Sequence, residues 1–401
     1  MADTPAMGRR EFLKSTATGL GGFVYLSANQ GTPQEVPHPG PRSGYRTLGK
    51  TGITLPVISM GVMNTDNPHL VQAALDAGVV HLDTAQGYQR GTNEAMIGAI
   101  LKSRPRSSYV IATKASLPKD QTTGMYSPDA TEDVYAKKID VSLKNLGLDY
   151  VDIYYHHGTW TREATLYEPI LNALAKAKQA GKARFVGVTT HRNEPEVLRA
   201  AVESKAYDVV LAAYNFRQKH ADEMRAAIAE AADAGLGIVA MKTIGGNRHG
   251  AYQGGEQLDA RAAFKWALQN PNVHTIITGF TTFDQMTLDL SILKDLTLSR
   301  SEQDHLRRVA AAASLYCQGC GGCLEQCREH LPIPELMRAY MYTHGYRNRL
   351  AAQDLLASLS LPKEPCADCS TCPVECLNGW KVSDRIRNVV RLRDVPADFL
   401  A

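Results

Sequence analysis

The sequence predicts an α/β protein in which a closed (β/α)8 barrel is followed by a small, mainly helical domain. Between residues 44 and 300, eight continuously apolar runs alternate with amphipathic segments, as in a parallel sheet buried on both faces. Eight such units in about 250 residues suit a closed barrel better than an open, doubly wound sheet. The 8 cysteines all lie beyond residue 316, which marks off a C-terminal domain.

Each element of the barrel has a local sequence signal. The expected strands are LPVISMG, VVHLDT, YVIATK, YVDIYYHH, RFVGVTT, DVVLAAYN, GIVAM and HTIITGF. No G-x-G-x-x-G turn follows the first strand, as an open dinucleotide-binding sheet would require. Thr131 can cap the start of one helix, and Gly147 can end it. Thr165 and Glu168 have the spacing of a capping box for the next helix, which Gly181 can end.

The composition is that of a soluble globular protein, with 44% hydrophobic and 21% charged residues. The 44 basic and 41 acidic residues are spread along the chain and leave a net charge of +3. This balance excludes an electrostatic footprint for nucleic acid or for lipid headgroups. We therefore expect no nucleic-acid partner.

The N-terminal stretch MADTPAMGRREFLKSTATGLGGFVYLSA resembles a twin-arginine export signal. Its apolar part falls short of the roughly 20 residues that cross a bilayer, so no stable membrane span is expected. Cleavage after Ala28 is disfavoured by Leu26, so the protein is expected to be periplasmic or otherwise exported, and membrane-tethered if the signal stays on. A proline-rich tether follows, and the expected domains are residues 1–43, 44–300 and 301–401.

Titratable residues end three successive strands. Asp83 ends the second strand with Tyr88 close behind, Lys114 ends the third, and His156 and His157 end the fourth. Each alone has an ordinary structural explanation, such as a cap, half-buried packing or a core histidine. Barrel enzymes gather their chemistry at the C-terminal ends of the strands, so four residue types on one rim favour an active site.

These segments resemble the aldo-keto reductase family. HLDTA with its following tyrosine, GTNEAMIGAI, IATK, LGLDYVDIYYHH and GVTT occur in the family's order over residues 44–300. The resemblance implies a TIM barrel and an oxidoreductase that transfers hydride between a nicotinamide and a carbonyl or alcohol. It favours His157 over His156, because the family's histidine lies five residues after the position of Asp152. The implied catalytic tetrad is Asp83, Tyr88, Lys114 and His157.

Elementary chemistry supports those roles. Hydride addition to a carbonyl carbon creates an alkoxide, so a positioned acid must donate a proton to the oxygen, and Tyr88 is the candidate. Lys114 is expected to stabilise the phenolate and ease proton donation near neutral pH, with Asp83 keeping the lysine charged. A neutral His157 can donate a hydrogen bond to the same oxygen.

The resemblance also implies a nicotinamide cofactor and its contacts. Hydroxyl groups replace the family's serine and asparagine, and Leu211 stands where a glutamine is usual. A methionine stands where an aromatic residue is common, in an MK pair similar to that of iron–sulfur-bearing members. The implied cofactor-binding residues are Thr189, Thr190, Met241, Lys242 and Gly279.

The residues after the eighth strand leave the choice of dinucleotide open. Gly279 stands where a lysine is common and Gln285 where an arginine is common, so two groups that would hold a 2′-phosphate are missing. Asp289 adds a negative charge nearby. NADP is therefore disfavoured unless other loops supply these contacts, and NAD, weak binding and another hydride source stay open.

The cysteines form one spacing twice, C-x2-C-x2-C-x3-C, which is the bacterial ferredoxin run and predicts two [4Fe–4S] clusters. In that run the fourth cysteine binds the neighbouring cluster, although the usual following proline is replaced here by Arg328 and Leu377, so this pairing stays open. We call Cys317, Cys320, Cys323 and Cys376 the first cysteine set. The second cysteine set is Cys327, Cys366, Cys369 and Cys372.

Two other uses of the cysteines, disulfides and zinc sites, fit their spacing less well. An even count in an exported protein suits disulfides, but a duplicated spacing has no disulfide rationale. Structural zinc sites usually draw on two separated pairs of ligands rather than three cysteines in seven residues.

Two functions follow from these patterns. The first is an enzyme that acts on a small carbonyl or alcohol and exchanges electrons through the clusters with a redox partner protein. The second is an electron-transfer protein whose barrel no longer binds nicotinamide and acts as a scaffold. If the protein is exported, we expect the dinucleotide to be loaded beforehand. The loop ASLPKDQTTGMYSP shows no recognition motif for a substrate.

Overall fold

Eight parallel strands close into a barrel, as the sequence predicts. The computed structural model describes residues 44–246, 256–312, 314–367 and 369–400. The predicted export signal and tether, residues 1–43, lie outside these ranges. Around the closed barrel the eight strands follow their order along the chain, and the last strand pairs with the first. The barrel strands are β3 (Ile58–Gly61), β4 (His81–Asp83), β5 (Val110–Ala115), β6 (Val151–His156), β7 (Ala183–Thr190), β8 (Val209–Ala213), β9 (Gly237–Met241) and β10 (Thr275–Thr278).

A short antiparallel hairpin precedes the barrel and was not predicted. Its strands are β1 (Tyr45–Thr47) and β2 (Thr54–Pro56), so the run LPVISMG is divided between β2 and β3. Leu48, Ile53 and Leu55 from the hairpin pack in one buried cluster with residues inside the barrel. The hairpin thereby fills the N-terminal end of the barrel, a tertiary role that a short apolar run does not reveal.

Helices cover the outside of the barrel. They are α1 (Pro68–Asp76), α2 (Asn93–Leu101), α3 (Glu132–Leu146), α4 (Arg162–Thr165), α5 (Glu168–Gln179), α6 (Glu194–Ser204), α7 (Ala221–Asp233), α8 (Ala260–Leu268), α9 (Phe283–Leu290) and α10 (Arg300–Ala311). Within the described ranges, no helix is both long and apolar enough to cross a membrane.

One of the two predicted helix starts is confirmed. The Thr131 side chain accepts a hydrogen bond from Val134 N at the start of α3, and Gly147 ends that helix with φ +64°. The capping box of Thr165 and Glu168 is wrong. Thr165 belongs to the separate helix α4, and its hydroxyl donates to the Thr161 carbonyl at 2.8 Å. A hydroxyl bound within its own turn cannot cap the next helix.

The C-terminal segment is helical and builds a second hydrophobic core. Its helices are α11 (Gly322–Gln326), α12 (Ile333–His344), α13 (Arg349–Ala357) and α14 (Val382–Val389). Leu336 and Ile386 are buried in this core together with Cys327 and Cys366. The predicted boundary at residue 300 coincides with the start of α10, and the division into domains stays a prediction.

Candidate functional site

The mouth of the barrel holds a buried lysine–aspartate pair beside a tyrosine. Lys114 in β5 donates from Nζ to Asp83 Oδ1 at 2.5 Å and to the Thr84 carbonyl at 2.7 Å. The same Nζ lies 4.9 Å from the centre of the Tyr88 ring. Neighbouring parallel strands end at one rim, so β4 and β5 bring these side chains together.

The two consecutive histidines have different surroundings. His156 is a core residue, with Nε2 2.5 Å from Tyr126 Oη and Nδ1 2.9 Å from Tyr207 Oη. The His157 ring instead meets the Tyr88 ring edge-on, with 6.2 Å between the centroids. Adjacent residues of an extended chain point to opposite sides, so only His157 shares the site with Tyr88.

Burial, rather than Lys114, dominates the pKa of the Tyr88 hydroxyl. The pKa of the Tyr88 hydroxyl lies well above 10, chiefly because of burial and secondly because of the Asp83 carboxylate, with smaller contributions from Tyr342 and Tyr346. Lys114 is held by Asp83, so the phenolate meets a nearby carboxylate as well as the ammonium group. Tyr88 is therefore a protonated hydroxyl at neutral pH.

His157 is neutral, as expected for a hydrogen-bond donor. Its pKa lies well below 6.5, first because of burial and then because Lys114, Lys119 and Arg338 are nearby. Burial and the same Arg338 also lower the pKa of Lys119 to about 7. The cations around this ring disfavour a further positive charge.

A cavity of about 690 Å³ opens beside the tetrad. Tyr88, Lys114 and His157 line it from the barrel, and Asn348 and Asp354 line it from the C-terminal segment. Its size is that of a site for a small organic molecule. Sequence reasoning missed the second wall, because nothing in a local motif indicates which distant helix covers a barrel.

The predicted cofactor residues fall into two groups. Tyr342 and Tyr346 help to line a second cavity, of about 110 Å³, beside Tyr88 and Asp83. The predicted residues that also line it are Met241, Lys242 and Gly279. This volume is below the roughly 300–1,000 Å³ of usual ligand sites, so it fits the ring of a dinucleotide rather than the whole molecule.

The hydroxyls of Thr189 and Thr190 form hydrogen bonds with neighbouring backbone groups. Thr189 Oγ1 accepts from Gly158 N at 2.8 Å, and Thr190 Oγ1 donates to the Arg192 carbonyl at 2.7 Å. Gln285 likewise folds back, its Oε1 accepting from Thr281 N at 2.8 Å. Hydroxyls already bound in this way are less available to a carboxamide.

The first cysteine set comes together from two distant stretches of chain. Its four thiols line one cavity of about 240 Å³, which Ile333, Met337 and Trp380 also border. Burial, reinforced by the neighbouring cysteines of the set, raises the pKa of the Cys317 thiol to about 12. A cavity ringed by four thiols has the donor set that a [4Fe–4S] cluster requires.

In the second cysteine set, Cys327 and Cys366 are buried, and the Cys369 thiol donates to Glu329 Oε1 at 3.7 Å. The Cys366 thiol has Cys327 and Cys369 as electrostatic neighbours. All eight cysteines are free thiols. Over the described ranges, no three His, Cys, Asp or Glu side chains cluster tightly enough to hold a single metal ion.

Residues of the C-terminal segment reach the barrel mouth in a way that the sequence did not reveal. Arg338 on α12 contacts the His191 ring, with Nη1 2.7 Å from Nε2. Tyr342, one turn later on α12, lines the cavity beside Tyr88. These partners are separated by 147 residues in the first case, so no local pattern could have paired them.

Comparison with known proteins finds a matching family model and relatives that are reductases and dehydrogenases. A model of the Aldo/keto reductase family matches residues 61–262. L-glyceraldehyde 3-phosphate reductase of Escherichia coli is 33% identical over 172 residues, which are 40% of this chain and 48% of that protein. L-galactose dehydrogenase of Arabidopsis thaliana is 33% identical over 157 residues, 36% of this chain and 47% of that protein. The chain thus spans about half the length of these curated relatives.

Solved structures share the fold. An aldo-keto reductase from Bacillus halodurans in its holo form has a TM-score of 0.56 and 22% identity, covering 69% of this chain and 99% of that one. An aldo-keto reductase from Brucella melitensis has a TM-score of 0.50 and 21% identity, over 66% of this chain and 98% of that one. The family model covers half of the sequence and includes the strands that bear Asp83, Lys114 and His157. The chain therefore belongs to the aldo/keto reductase family.

Proposed function

We propose that this chain is an oxidoreductase that transfers hydride between a nicotinamide cofactor and a small carbonyl or alcohol. The observation that supports this most strongly is the meeting of Tyr88, the Lys114–Asp83 pair and His157 at a cavity of about 690 Å³. Reductases and dehydrogenases among the relatives point the same way.

The residues of the mouth have complementary roles in this proposal. Met241, Lys242 and Gly279 line the cavity that would hold the nicotinamide ring, and a nicotinamide held there would supply or accept the hydride. In the reducing direction, Tyr88 gives its hydroxyl proton to the substrate oxygen, which becomes the alcohol. The raised pKa of Tyr88 is no obstacle, since an alkoxide is a stronger base than a phenolate.

Lys114 and His157 assist the same proton transfer. Lys114 Nζ, 4.9 Å from the Tyr88 ring, stabilises the phenolate that is left behind. Neutral His157 donates a hydrogen bond to the substrate oxygen and orients it. Asp83 holds the lysine in place through the 2.5 Å contact.

Tyr88→Phe should lower carbonyl turnover by about 10²–10⁴-fold, because it removes the proton donor and keeps the ring. Turnover of an aldehyde panel and the thermal unfolding midpoint are the measurements, and the midpoint should stay close to that of the unmodified protein. Tyr150→Phe is the matched control, since Tyr150 packs against Arg106 through its ring. Unchanged turnover in Tyr88→Phe would refute the assignment.

We also propose that the two cysteine sets hold two [4Fe–4S] clusters, which supply one-electron transfer. The cavity ringed by the first cysteine set supports this. A zinc ion with Zn–S distances of about 2.3 Å would draw its sulfurs within about 4 Å of one another. Over the described ranges no three His, Cys, Asp or Glu side chains form such a group, whereas all four residues of the first cysteine set border one cavity of about 240 Å³.

Anaerobically purified protein should contain about eight irons and about eight sulfides, as two cubanes require. The double variant Cys320→Ala/Cys376→Ala should keep about half of the iron, because both residues border one cavity. Cys320→Ala/Cys327→Ala should lose nearly all of it. Equal losses in the two variants would exclude the proposed pairing, and zinc in place of iron would exclude the clusters.

The second candidate is an electron-transfer protein whose barrel is a scaffold. The cavity of about 110 Å³ that Tyr342 and Tyr346 help to line favours it, because this volume is too small for a whole dinucleotide. Leu211, fully buried in β8, offers no hydrogen bond to a carboxamide. The occupied hydroxyls of Thr189 and Thr190 favour it too.

Titration with NADH and NADPH separates these candidates. The enzyme should quench its tryptophan fluorescence on binding one of the two, and Tyr342→Ala should tighten binding by widening the cavity. The control Phe399→Ala removes an aromatic side chain that is 78% exposed and should change nothing. If no variant shows quenching with NADH or NADPH, the nicotinamide-dependent enzyme is excluded and the scaffold function remains.

We further propose twin-arginine export to the periplasm, with membrane tethering if the signal is not cleaved. The clusters would then exchange electrons with a redox partner protein in that compartment, and the dinucleotide would enter before export. The motif RREFLK is the support for this step.

A reporter fused after residues 1–43 should reach the periplasm, and Arg9→Lys/Arg10→Lys should retain it in the cytoplasm. Arg42→Lys, in the proline-rich tether, is the matched control. Fractionation and immunoblotting measure the distribution. Equal export of the double variant would refute twin-arginine targeting.

A further inference from the structure

A barrel arginine is packed against the first cysteine set. Arg192 follows β7, and its side chain lies so close to the cysteine loop that a Cβ built on Gly319 would come within 2.9 Å of Arg192 Cγ. Gly319 has φ +67°, a conformation that suits glycine. Arg192 is 7% exposed, and Nη1 has no hydrogen-bond partner among the residues that the structure describes. A buried guanidinium with an unused donor calls for an anion beside it.

Other cations border the same cysteine. Lys242 and Arg338 line a narrow cavity together with Arg192 and Cys317. Two carboxylates lie nearby. Glu335 forms an ion pair with Arg338, and Glu194 accepts from His220 Nε2 at 3.1 Å. Burial and Arg338 lower the pKa of Lys242 to about 7, and Arg338 is paired with Glu335. Arg192 is therefore the cation at this end of the first cysteine set that has no carboxylate partner among the described residues.

The second cysteine set has a carboxylate in direct contact. Glu329 Oε2 accepts from Cys366 N at 3.0 Å, and Oε1 accepts from the Cys369 thiol at 3.7 Å. Arg387 donates to the Cys366 carbonyl at 3.1 Å, but its side chain is 47% exposed. Water screens an exposed charge, so the carboxylate acts more strongly on this set than Arg387 does.

Charge of this kind bears on the ease of reduction. A [4Fe–4S] core of charge 2+ with four thiolates has a net charge of −2, and one added electron makes it −3. A buried cation stabilises the reduced form more than the oxidised form, and a nearby carboxylate does the opposite.

We propose that the two cysteine sets hold clusters of unequal reduction potential, and that the first set has the higher potential because of Arg192 while Glu329 lowers that of the second. This inference rests on the proposed clusters. Lys242 lines both the cavity beside Tyr88 and the cavity beside Cys317, so the higher potential would belong to the cluster nearer the barrel mouth.

The test is an anaerobic dithionite titration followed by electron paramagnetic resonance, with iron and sulfide measured on each sample. The unmodified protein should show two separate midpoint potentials. Arg192→Gln should lower the higher potential and leave the other in place, and Arg192→Lys, which keeps the charge, should largely restore it. Glu329→Gln should raise the lower potential. Arg192→Gln and Glu329→Gln should therefore each reduce the difference between the two midpoint potentials.

Arg387→Gln is the matched control, because it removes an arginine that contacts only the second set and should leave the higher potential unchanged. If iron and sulfide are complete but Arg192→Gln moves neither potential, or moves the lower one, the inference is overturned while the clusters stand. If iron and sulfide are missing from the unmodified protein, the proposed clusters fail first, and the assay shows this before any titration. If Arg192→Gln loses its cluster, Glu329→Gln alone tests the inference. A raised lower potential supports the inference, and an unchanged one overturns it.

Discussion

The contact on which the barrel mouth depends is the buried ion pair between Lys114 and Asp83. Both side chains are 2% exposed, and isolated charges at such depth would be strongly unfavourable. Each therefore requires the other, and the Thr84 carbonyl takes a second lysine proton at 2.7 Å. This arrangement holds an ammonium group under the Tyr88 ring, and the neutral His157 ring completes the rim. The parallel pairing of β4 with β5 makes the ion pair possible, because it brings the C-terminal ends of the two strands side by side.

The second organising feature is the way the C-terminal segment covers that mouth. Helix α12 places Arg338 against His191 and Tyr342 over the cavity beside Tyr88, and the next helix supplies part of the larger cavity. The cysteine-bearing segment is thus a wall of the candidate active site. Lys242 lines the cavity beside Tyr88 and also the cavity beside Cys317, so it lies between the barrel mouth and the first cysteine set.

Local signals predicted the parts of the fold that depend on local physics. The eight apolar runs form the eight barrel strands. Helix α3 starts after its cap Thr131 and ends at Gly147, as expected. Errors arose where a residue had a competing partner. Thr165 bonds within its own short helix rather than capping the next, and burial raises the pKa of Tyr88 although Lys114 lies beside its ring. A motif shows which residues are present but not how their hydrogen bonds and charges are shared.

The sequence alone determined the barrel, the four residue types at its rim and the duplicated cysteine spacing, because hydrophobic periodicity and ligand spacing are local properties of the chain. Only the tertiary structure decided that the hydroxyls of Thr189 and Thr190 are hydrogen-bonded to neighbouring backbone, and that Arg192 lies against one cysteine set while Glu329 contacts the other. These outcomes depend on burial and on contacts between distant segments. Both arise only when the barrel closes and the C-terminal domain packs over its mouth.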